Sequence, residues 1–113
     1  MFGNWNLVIG YFKFMLKQVH LYIKGDVIGV GFRAWTKIQA KVINVNGWVR
    51  NCFEKPDLFG PGGGVEALFQ GGEENVHKIL EVVKKGSSVS RVDDVEVLWQ
   101  EPKEVYEGFE IVK

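Results

Sequence analysis

The sequence predicts an α+β protein in which one antiparallel sheet is covered on one face by two helices. Short segments with alternating apolar and polar residues indicate strands, and two longer segments with apolar residues at helical spacing indicate helices. These elements follow one another in the order β-α-β-β-α-β-β. Two right-handed βαβ crossovers joined by a hairpin give a ferredoxin-like βαββαβ sandwich with a short extra C-terminal strand.

The first strand and the first helix are separated by a glycine-rich turn. The strand is predicted from residue 18 to Gly25, and its buried face alternates through Val19, Leu21 and Ile23. The helix is predicted over residues 32–43, with Asn44 as a left-handed C-cap. The helical spacing of its apolar residues predicts a core-facing stripe formed by Trp35, Ile38, Val42 and Ile43.

The second and third strands form a central hairpin. The second strand begins at Gly47, and alternation predicts two faces, one with Val49, Asn51 and Phe53 and the other with Trp48, Arg50 and Cys52. The third strand spans residues 65–70, with a buried face formed by Val65, Ala67 and Phe69. The intervening residues 54–64 are rich in Pro and Gly, so they are predicted to be a long, flexible hairpin insertion.

The second helix and the last two strands complete the pattern. Residues 73–85 have acidic residues in the first turn and lysines in the last, which complements the helix dipole, and Gly86 ends the helix. The buried face of this helix is predicted to contain Val76, Ile79, Leu80 and Val83. A fourth strand over residues 91–99 and a short final strand over 108–112 follow.

The composition excludes several classes of protein. The 113 residues suffice for one domain, and the balance of 14 Lys and Arg against 14 Asp and Glu argues against a broad surface for nucleic acid or anionic lipid. The single cysteine excludes an internal disulfide and a zinc site built from several thiolates, so a reducing cytoplasm is the expected compartment. We therefore expect a cytoplasmic monomer with no nucleic-acid, membrane or metal partner.

The segment KGDVIGVGFRAW, between the first strand and the first helix, is the candidate anion site. Gly25, Gly29 and Gly31 let its backbone approach a ligand closely, and N–H groups that precede a helix have no intrahelical partner. Together with Arg33 in the first helical turn, these groups form a nest suited to a phosphate. A tight turn with a surface arginine is the alternative.

Two known nucleotide-binding loops do not fit this segment. The ATPase loop requires a Lys followed by Ser or Thr, and no such pair follows these glycines. The dinucleotide pattern G-x-G-x-x-A is met by Gly29, Gly31 and Ala34, with Glu54 about 20 residues further on. A doubly wound dinucleotide fold needs more parallel βαβ units than this chain holds, however, so that interpretation is rejected.

The motifs GDVIGVGFRAW, GWVRN and RVDDVEV resemble those of the acylphosphatase family, and the resemblance covers residues 18–112. It implies the ferredoxin-like fold and an enzyme that hydrolyses the carboxyl–phosphate bond of small acyl phosphates without metal or cofactor. By position, Arg33 matches the phosphate-binding arginine, and Asn51 matches the asparagine that positions the attacking water. The side-chain carbonyl of Asn51 is suited to that task. The backbone cradle of the phosphate is matched by Val27, Ile28, Gly29, Val30, Gly31 and Phe32.

The chain departs from the family pattern in two places. Ile28 stands where the family has Gln, so any contribution of that amide is missing. The insertion at 54–64 replaces a short turn, and Phe59 within it either overhangs the site as part of a mobile flap or projects with the loop into solvent.

The sequence leaves one alternative function open and assigns no catalytic role to its cysteine or histidines. A non-catalytic module that binds acyl or carbamoyl phosphate, or another anion, on the same fold is the alternative function, and a domain that delivers such a phosphate to a partner is a variant of it. A module for single-stranded RNA is rejected because its aromatic motif and basic sheet face are missing. Cys52 is predicted to be a structural or surface thiol, and His20 and His77 to be solvated or hydrogen-bonded side chains.

Residues 1–16 are unusually apolar for the end of a chain. A membrane-spanning helix needs about 20 apolar residues, and Lys13 and Lys17 interrupt this run too early. A signal peptide needs a basic region before the apolar run and a small-residue cleavage site, and neither is present. We expect an N-terminal extension outside the acylphosphatase-like domain, which spans residues 15–113; an extra strand or helix packed on that domain is the alternative.

Overall fold

The computed structural model of the chain describes residues 15–113, so the expected N-terminal extension lies outside the described residues. The elements in chain order are β1 (Lys17–Asp26), α1 (Phe32–Ile43), β2 (Asn46–Cys52), α2 (Pro56–Phe59), β3 (Gly64–Gly71), α3 (Glu73–Lys85), β4 (Arg91–Gln100) and β5 (Phe109–Ile111). This order confirms the predicted succession and adds one element, the single-turn helix α2.

The strands form one sheet in the order β4-β1-β3-β2-β5. The pairs β1–β4, β1–β3 and β2–β3 are antiparallel, which confirms the ferredoxin-like arrangement. The short β5 adds to β2 in parallel, so the complete sheet is mixed. Because β1 and β2 are both antiparallel to β3, they run in the same direction, and their C-terminal ends lie at the same edge of the sheet.

The hydrophobic core lies between the sheet and the two long helices. The residues predicted for the buried faces of β1 and β3 are all fully buried, and α3 buries the four residues predicted for it. Gly86 ends α3, and its N–H donates to the carbonyl oxygen of Val82. Strand alternation and helical spacing therefore predicted most of this core correctly.

The predicted core-facing stripe of α1 is wrong in part. Ile38 and Val42 are 59% and 77% exposed, and the buried positions of the helix are Phe32, Thr36 and Ala40. Thr36 and Ala40 are small, so the helix can lie close to the sheet, and close packing counts for as much as hydrophobicity in choosing the buried face. The predicted cap is confirmed, since Asn44 is left-handed (φ 69°) and its N–H donates to Ala40.

The insertion at 54–64 packs against the sheet, in contrast to the flexible loop predicted for it. Its helix α2 places the Phe59 ring 6.1 Å from the Tyr22 ring, on the sheet face that the long helices leave open. The ring also covers Gly64, where an added Cβ would lie 2.2 Å from Phe59 Cδ1. The ammonium group of Lys55 lies 5.3 Å from the centre of the Tyr22 ring. The segment is thus held by aromatic contacts that proline and glycine content alone does not reveal.

A buried carboxylate fixes the open face of the sheet. Glu66 on β3 is 6% exposed, and its two carboxylate oxygens bind His20 of β1 at 2.5 Å and Arg50 of β2 at 2.6 Å. A buried charge is tolerated only when it is paired in this way. The contact also confirms that His20 is a hydrogen-bonded side chain. Because Arg50 points to the open face, the next residue, Asn51, points to the face that carries the helices.

The close approach of β2 to β3 at Gly47 predicts a large stability effect. Gly47 has φ 136°, and an added Cβ would lie 1.9 Å from the carbonyl oxygen of Leu68. We expect Gly47→Ala to lower the free energy of unfolding by at least about 3 kcal/mol, or to abolish cooperative unfolding, because backbone must move. Gly62→Ala is the matched control, since nothing lies within 4 Å of its added Cβ. Equal urea midpoints for the two variants would contradict the prediction.

Candidate active site

Three chain segments meet at the end of the sheet where β1 and β2 terminate. The turn after β1 leads into α1, Asn51 lies next to the C-terminal end of β2, and the parallel pairing of β5 with β2 brings Ile111 to the same end. These segments line a cavity of about 190 Å³. Its lining consists of Val27, Gly29, Gly31, Phe32, Arg33, Ala34, Asn51 and Ile111. Six of the eight residues predicted for the site are therefore together in one cavity.

The turn after β1 presents its backbone to the cavity and buries its apolar side chains fully or partly. Val27 and Phe32, at its two ends, are each 1% exposed, and the side chains of Ile28 and Val30 pack against the core without lining the cavity. Gly29 (φ 78°) and Gly31 (φ 75°) take left-handed conformations that other residues adopt only with strain. The turn can therefore follow a ligand closely with main-chain atoms.

The N–H groups of this turn have no partner within the described chain. None of the amides of residues 28–33 donates a hydrogen bond to another group in residues 15–113. Gly31 is the N-cap of α1, and its carbonyl oxygen accepts the N–H of Trp35 at 3.0 Å. Successive free amides at the N-terminus of a 12-residue helix create a positive potential that favours an anion.

Arg33 adds a full positive charge to this end of α1. Within residues 15–113 its guanidinium forms no ion pair or hydrogen bond, and the first turn of α1 contains no acidic residue. A cation at the N-terminus of a helix opposes the helix dipole, so this position costs stability in the absence of an anion. The charge of Arg33 is thus available to a ligand in the cavity.

Asn51 lines the cavity from the opposite side. Its neighbour on the same face of β2, Val49, is fully buried, so Asn51 lies where the core ends and the cavity begins. Its Oδ1 atom is buried and has no hydrogen-bond partner within the described residues. Nδ2 also makes no hydrogen bond within residues 15–113, but unlike Oδ1 it is accessible to solvent. In this orientation the NH₂ end, and not the carbonyl considered from the sequence, is the accessible end of the amide.

Cys52 does not belong to the cavity, although it follows Asn51. Its side chain is buried on the open face, and its thiol donates a hydrogen bond to Glu54 Oε2 at 3.2 Å. Burial raises the pKa of the Cys52 thiol, and this same hydrogen bond is the largest cause that lowers the pKa of Glu54 to about 2. The thiol is therefore protonated at neutral pH and is no nucleophile for this site.

Two absences among the described residues concern metal ions and membranes. Residues 15–113 contain no group of three or more His, Cys, Asp or Glu side chains placed to hold a metal ion. No helix in the same range has the length and apolar character needed to cross a membrane.

Comparison with known proteins identifies the family. The acylphosphatase family model matches residues 19–111, which is most of the chain. The chain belongs to the acylphosphatase family. The acylphosphatase of Syntrophobacter fumaroxidans is 39% identical over 95 residues, which are 84% of this chain and 90% of that protein. The acylphosphatase of Thermococcus kodakarensis is 41% identical over 95 residues, or 84% of this chain and 94% of that protein.

A solved structure agrees with this assignment to the acylphosphatase family. The crystal structure of acylphosphatase from Bacillus subtilis superposes with a TM-score of 0.75 at 34% identity, covering 88% of this chain and all of that one. The relatives and the shared fold together support acylphosphatase function over the alternative of a non-catalytic anion-binding module.

The cavity also contains two residues that were not predicted from the sequence to belong to the site, Ala34 and Ile111. Ile111 is 40% exposed and lies beside Asn51 because β5 pairs with β2. That pairing joins Val49 to Ile111, which are about sixty positions apart in this acylphosphatase-family chain. No sequence motif near Ile111 predicts it. Only the strand register places Ile111 at the site.

Proposed function

We propose that the protein hydrolyses small-molecule acyl phosphates to a carboxylate and inorganic phosphate, without metal or cofactor. The backbone of residues 27–33 and the Arg33 guanidinium hold the phosphate, and Asn51 positions the attacking water. The observation that carries this assignment is that one small cavity brings together backbone amides, the Arg33 guanidinium and the Asn51 Oδ1 atom, all without hydrogen-bond partners within residues 15–113.

The chemistry of the leaving group explains why so few side chains suffice. The bond that breaks releases a carboxylate, whose conjugate acid has a pKa of about 4 to 5, as carboxyl side chains do. Such a group departs without a proton, so the site needs no general acid and no metal to stabilise it. The remaining tasks are to neutralise charge on the phosphoryl oxygens and to hold the reactants in line.

The turn and Arg33 perform the first of these tasks, and Asn51 performs the second. Amides of residues 28–33 and the guanidinium donate to the phosphoryl oxygens, where negative charge is concentrated. Nδ2 of Asn51 donates to the water, whose other lone pair attacks phosphorus while the bond to the acyl oxygen breaks. The acyl oxygen keeps the electron pair of that bond. A neutral amide is a poor base, so the water loses its proton late, to an oxygen of the phosphate itself.

The proposed function is tested by comparing substrates that differ only in the leaving group. We expect hydrolysis of benzoyl phosphate, followed by ultraviolet absorbance, at the same rate with and without EDTA. Glycerol phosphate should react at least about 10³-fold more slowly, because its alkoxide leaving group needs a general acid that the site lacks. Failure to hydrolyse both benzoyl and acetyl phosphate would refute the activity. Inhibition by EDTA that a divalent cation reverses would refute metal independence.

We further propose that the protein acts as a cytoplasmic monomer that binds neither nucleic acid nor membranes. The single cysteine is a free thiol suited to a reducing compartment, and the balanced charge of the chain argues against a broad surface for nucleic acid or anionic lipid. Light scattering that gave twice the 12.8 kDa chain mass would refute the monomer.

A further inference from the structure

Two buried polar atoms on facing elements lack hydrogen-bond partners. The Thr36 side chain is completely buried on α1, and its hydroxyl oxygen makes no hydrogen bond within residues 15–113. Oδ1 of Asn51 on β2 is in the same condition. A buried polar group without a partner is costly and uncommon, so each atom calls for an explanation.

The two atoms belong to the same interface. Thr36 is on the buried face of α1, Asn51 is on the face of β2 that carries the helices, and α1 packs directly against β2. Phe32 lines the cavity together with Asn51, and Thr36 follows Phe32 by four residues on the same side of the helix. One helical turn rises about 5.4 Å, so Thr36 lies one turn further along the buried face of α1 than the cavity residue Phe32.

The chemistry of the two atoms is complementary. A threonine hydroxyl can donate one hydrogen bond, and an amide oxygen can only accept. They form no direct bond in the structure, but one water between a donor and an acceptor satisfies both at little cost. Resting on the proposed function of Asn51, we propose that Thr36 is a positioning residue whose hydroxyl, through one bridging water, holds Oδ1 of Asn51 in the protein interior.

This contact decides which end of the amide faces the substrate. With Oδ1 held in the protein interior, Nδ2 faces the cavity and donates a hydrogen bond to the attacking water. The second lone pair of the water oxygen stays free to attack phosphorus. Without the hydroxyl, the Asn51 amide turns freely and can place its carbonyl oxygen in the cavity. The water then donates a hydrogen bond to that oxygen and is no longer oriented for attack on phosphorus. Thr36 therefore acts on the chemical step through Asn51 and does not touch the phosphate.

The experiment combines an isosteric and a conservative variant with removal of Asn51. Thr36→Val keeps the shape and removes the hydroxyl, whereas Thr36→Ser keeps the hydroxyl. Thr36→Val should lower kcat for benzoyl phosphate about tenfold, with inhibition by inorganic phosphate changed by less than about twofold, and Thr36→Ser should restore most of kcat. In the Asn51→Ala background, Thr36→Val should have no further effect, because Thr36 acts through Asn51.

The outcomes separate this inference from the proposed function and from a purely structural role. A wild-type protein that hydrolyses no acyl phosphate would overturn the proposed function itself. If the wild type hydrolyses acyl phosphates and kcat of Thr36→Val is within about twofold of the wild-type value, the inference alone is overturned. An equal loss from Thr36→Val in the wild-type and Asn51→Ala backgrounds would also overturn it. Thermal unfolding of each variant verifies the fold, and a structural role would lower the melting temperature without the predicted dependence on Asn51.

Discussion

Arg33→Ala is expected to reduce kcat/KM for benzoyl phosphate by about 10³-fold or more. Loss of one preorganised donor to a developing charge typically costs about 10² to 10³ in rate, and Arg33 supplies both a charge and several donors. The cost is large here because the guanidinium forms no hydrogen bond or ion pair within residues 15–113, so its charge and its donors are available to the phosphate. Inhibition by inorganic phosphate should weaken in parallel.

Lys37→Ala provides the matched control for this variant. Lys37 is one helical turn beyond Arg33 on α1 and does not line the cavity. Lys37→Ala therefore removes the same charge from the same helix without changing the cavity lining. We expect its kcat/KM to stay within about twofold of the wild type. Similar losses in the two variants would mean that net charge, and not direct contact by Arg33, holds the substrate. Urea unfolding should show no loss of stability for Arg33→Ala, since the arginine opposes the dipole of α1.

Asn51→Ala is expected to lower kcat by about 10²-fold while inhibition by inorganic phosphate changes by less than about twofold. The division follows from the proposed roles, in which Asn51 positions the water and the turn and Arg33 bind the phosphate in the same cavity. Oδ1 makes no direct hydrogen bond within the described residues, so Asn51→Ala breaks no direct hydrogen bond of this atom to the protein.

The two effects of Asn51→Ala are measured with the same substrate. Initial rates at several concentrations of benzoyl phosphate give kcat, and competition with inorganic phosphate gives the inhibition constant. If inhibition weakened as much as turnover, Asn51 would be a phosphate ligand, and the separation of roles would be wrong. Asn51→Asp should be no better than Asn51→Ala, because a carboxylate has no N–H donor and repels the phosphate.

Most of the fold could be predicted from the sequence because each element repeats its period several times. Strand β1 and helix α3 have apolar residues at regular spacing with few exceptions, and the structure buries them as predicted. Helix α1 was different, because Ile38 and Val42 form an apolar stripe beside the true buried face. Hydrophobicity alone cannot choose between two such stripes when small residues, here Thr36 and Ala40, allow the closer approach to the sheet.

The residues of the site could be predicted where the signal is local in sequence, and could not where long-range contacts place them. Arg33 and the glycines of the turn are recognisable because they are contiguous and have a conformational reason to be there. Ile111 and Thr36 have no local signal, since one reaches the cavity through strand pairing and the other through helix packing. Phe59 was undecided from the sequence, and the structure places it against Tyr22 on the open face, away from the cavity.

The outermost strand β4 has a consequence for how this protein behaves at high concentration. Among the described residues it pairs only with β1, so within that part of the chain one side of this ten-residue strand has unpaired backbone groups. Arg91, Asp93, Asp94 and Glu96 are exposed along it, and the register with β1 shifts between Lys24 and Gly25. A second copy that joined this edge would have to bury those charges and match an irregular strand, which is how natural sheets resist aggregation. At the other edge, β5 has three residues and offers too short a template for growth.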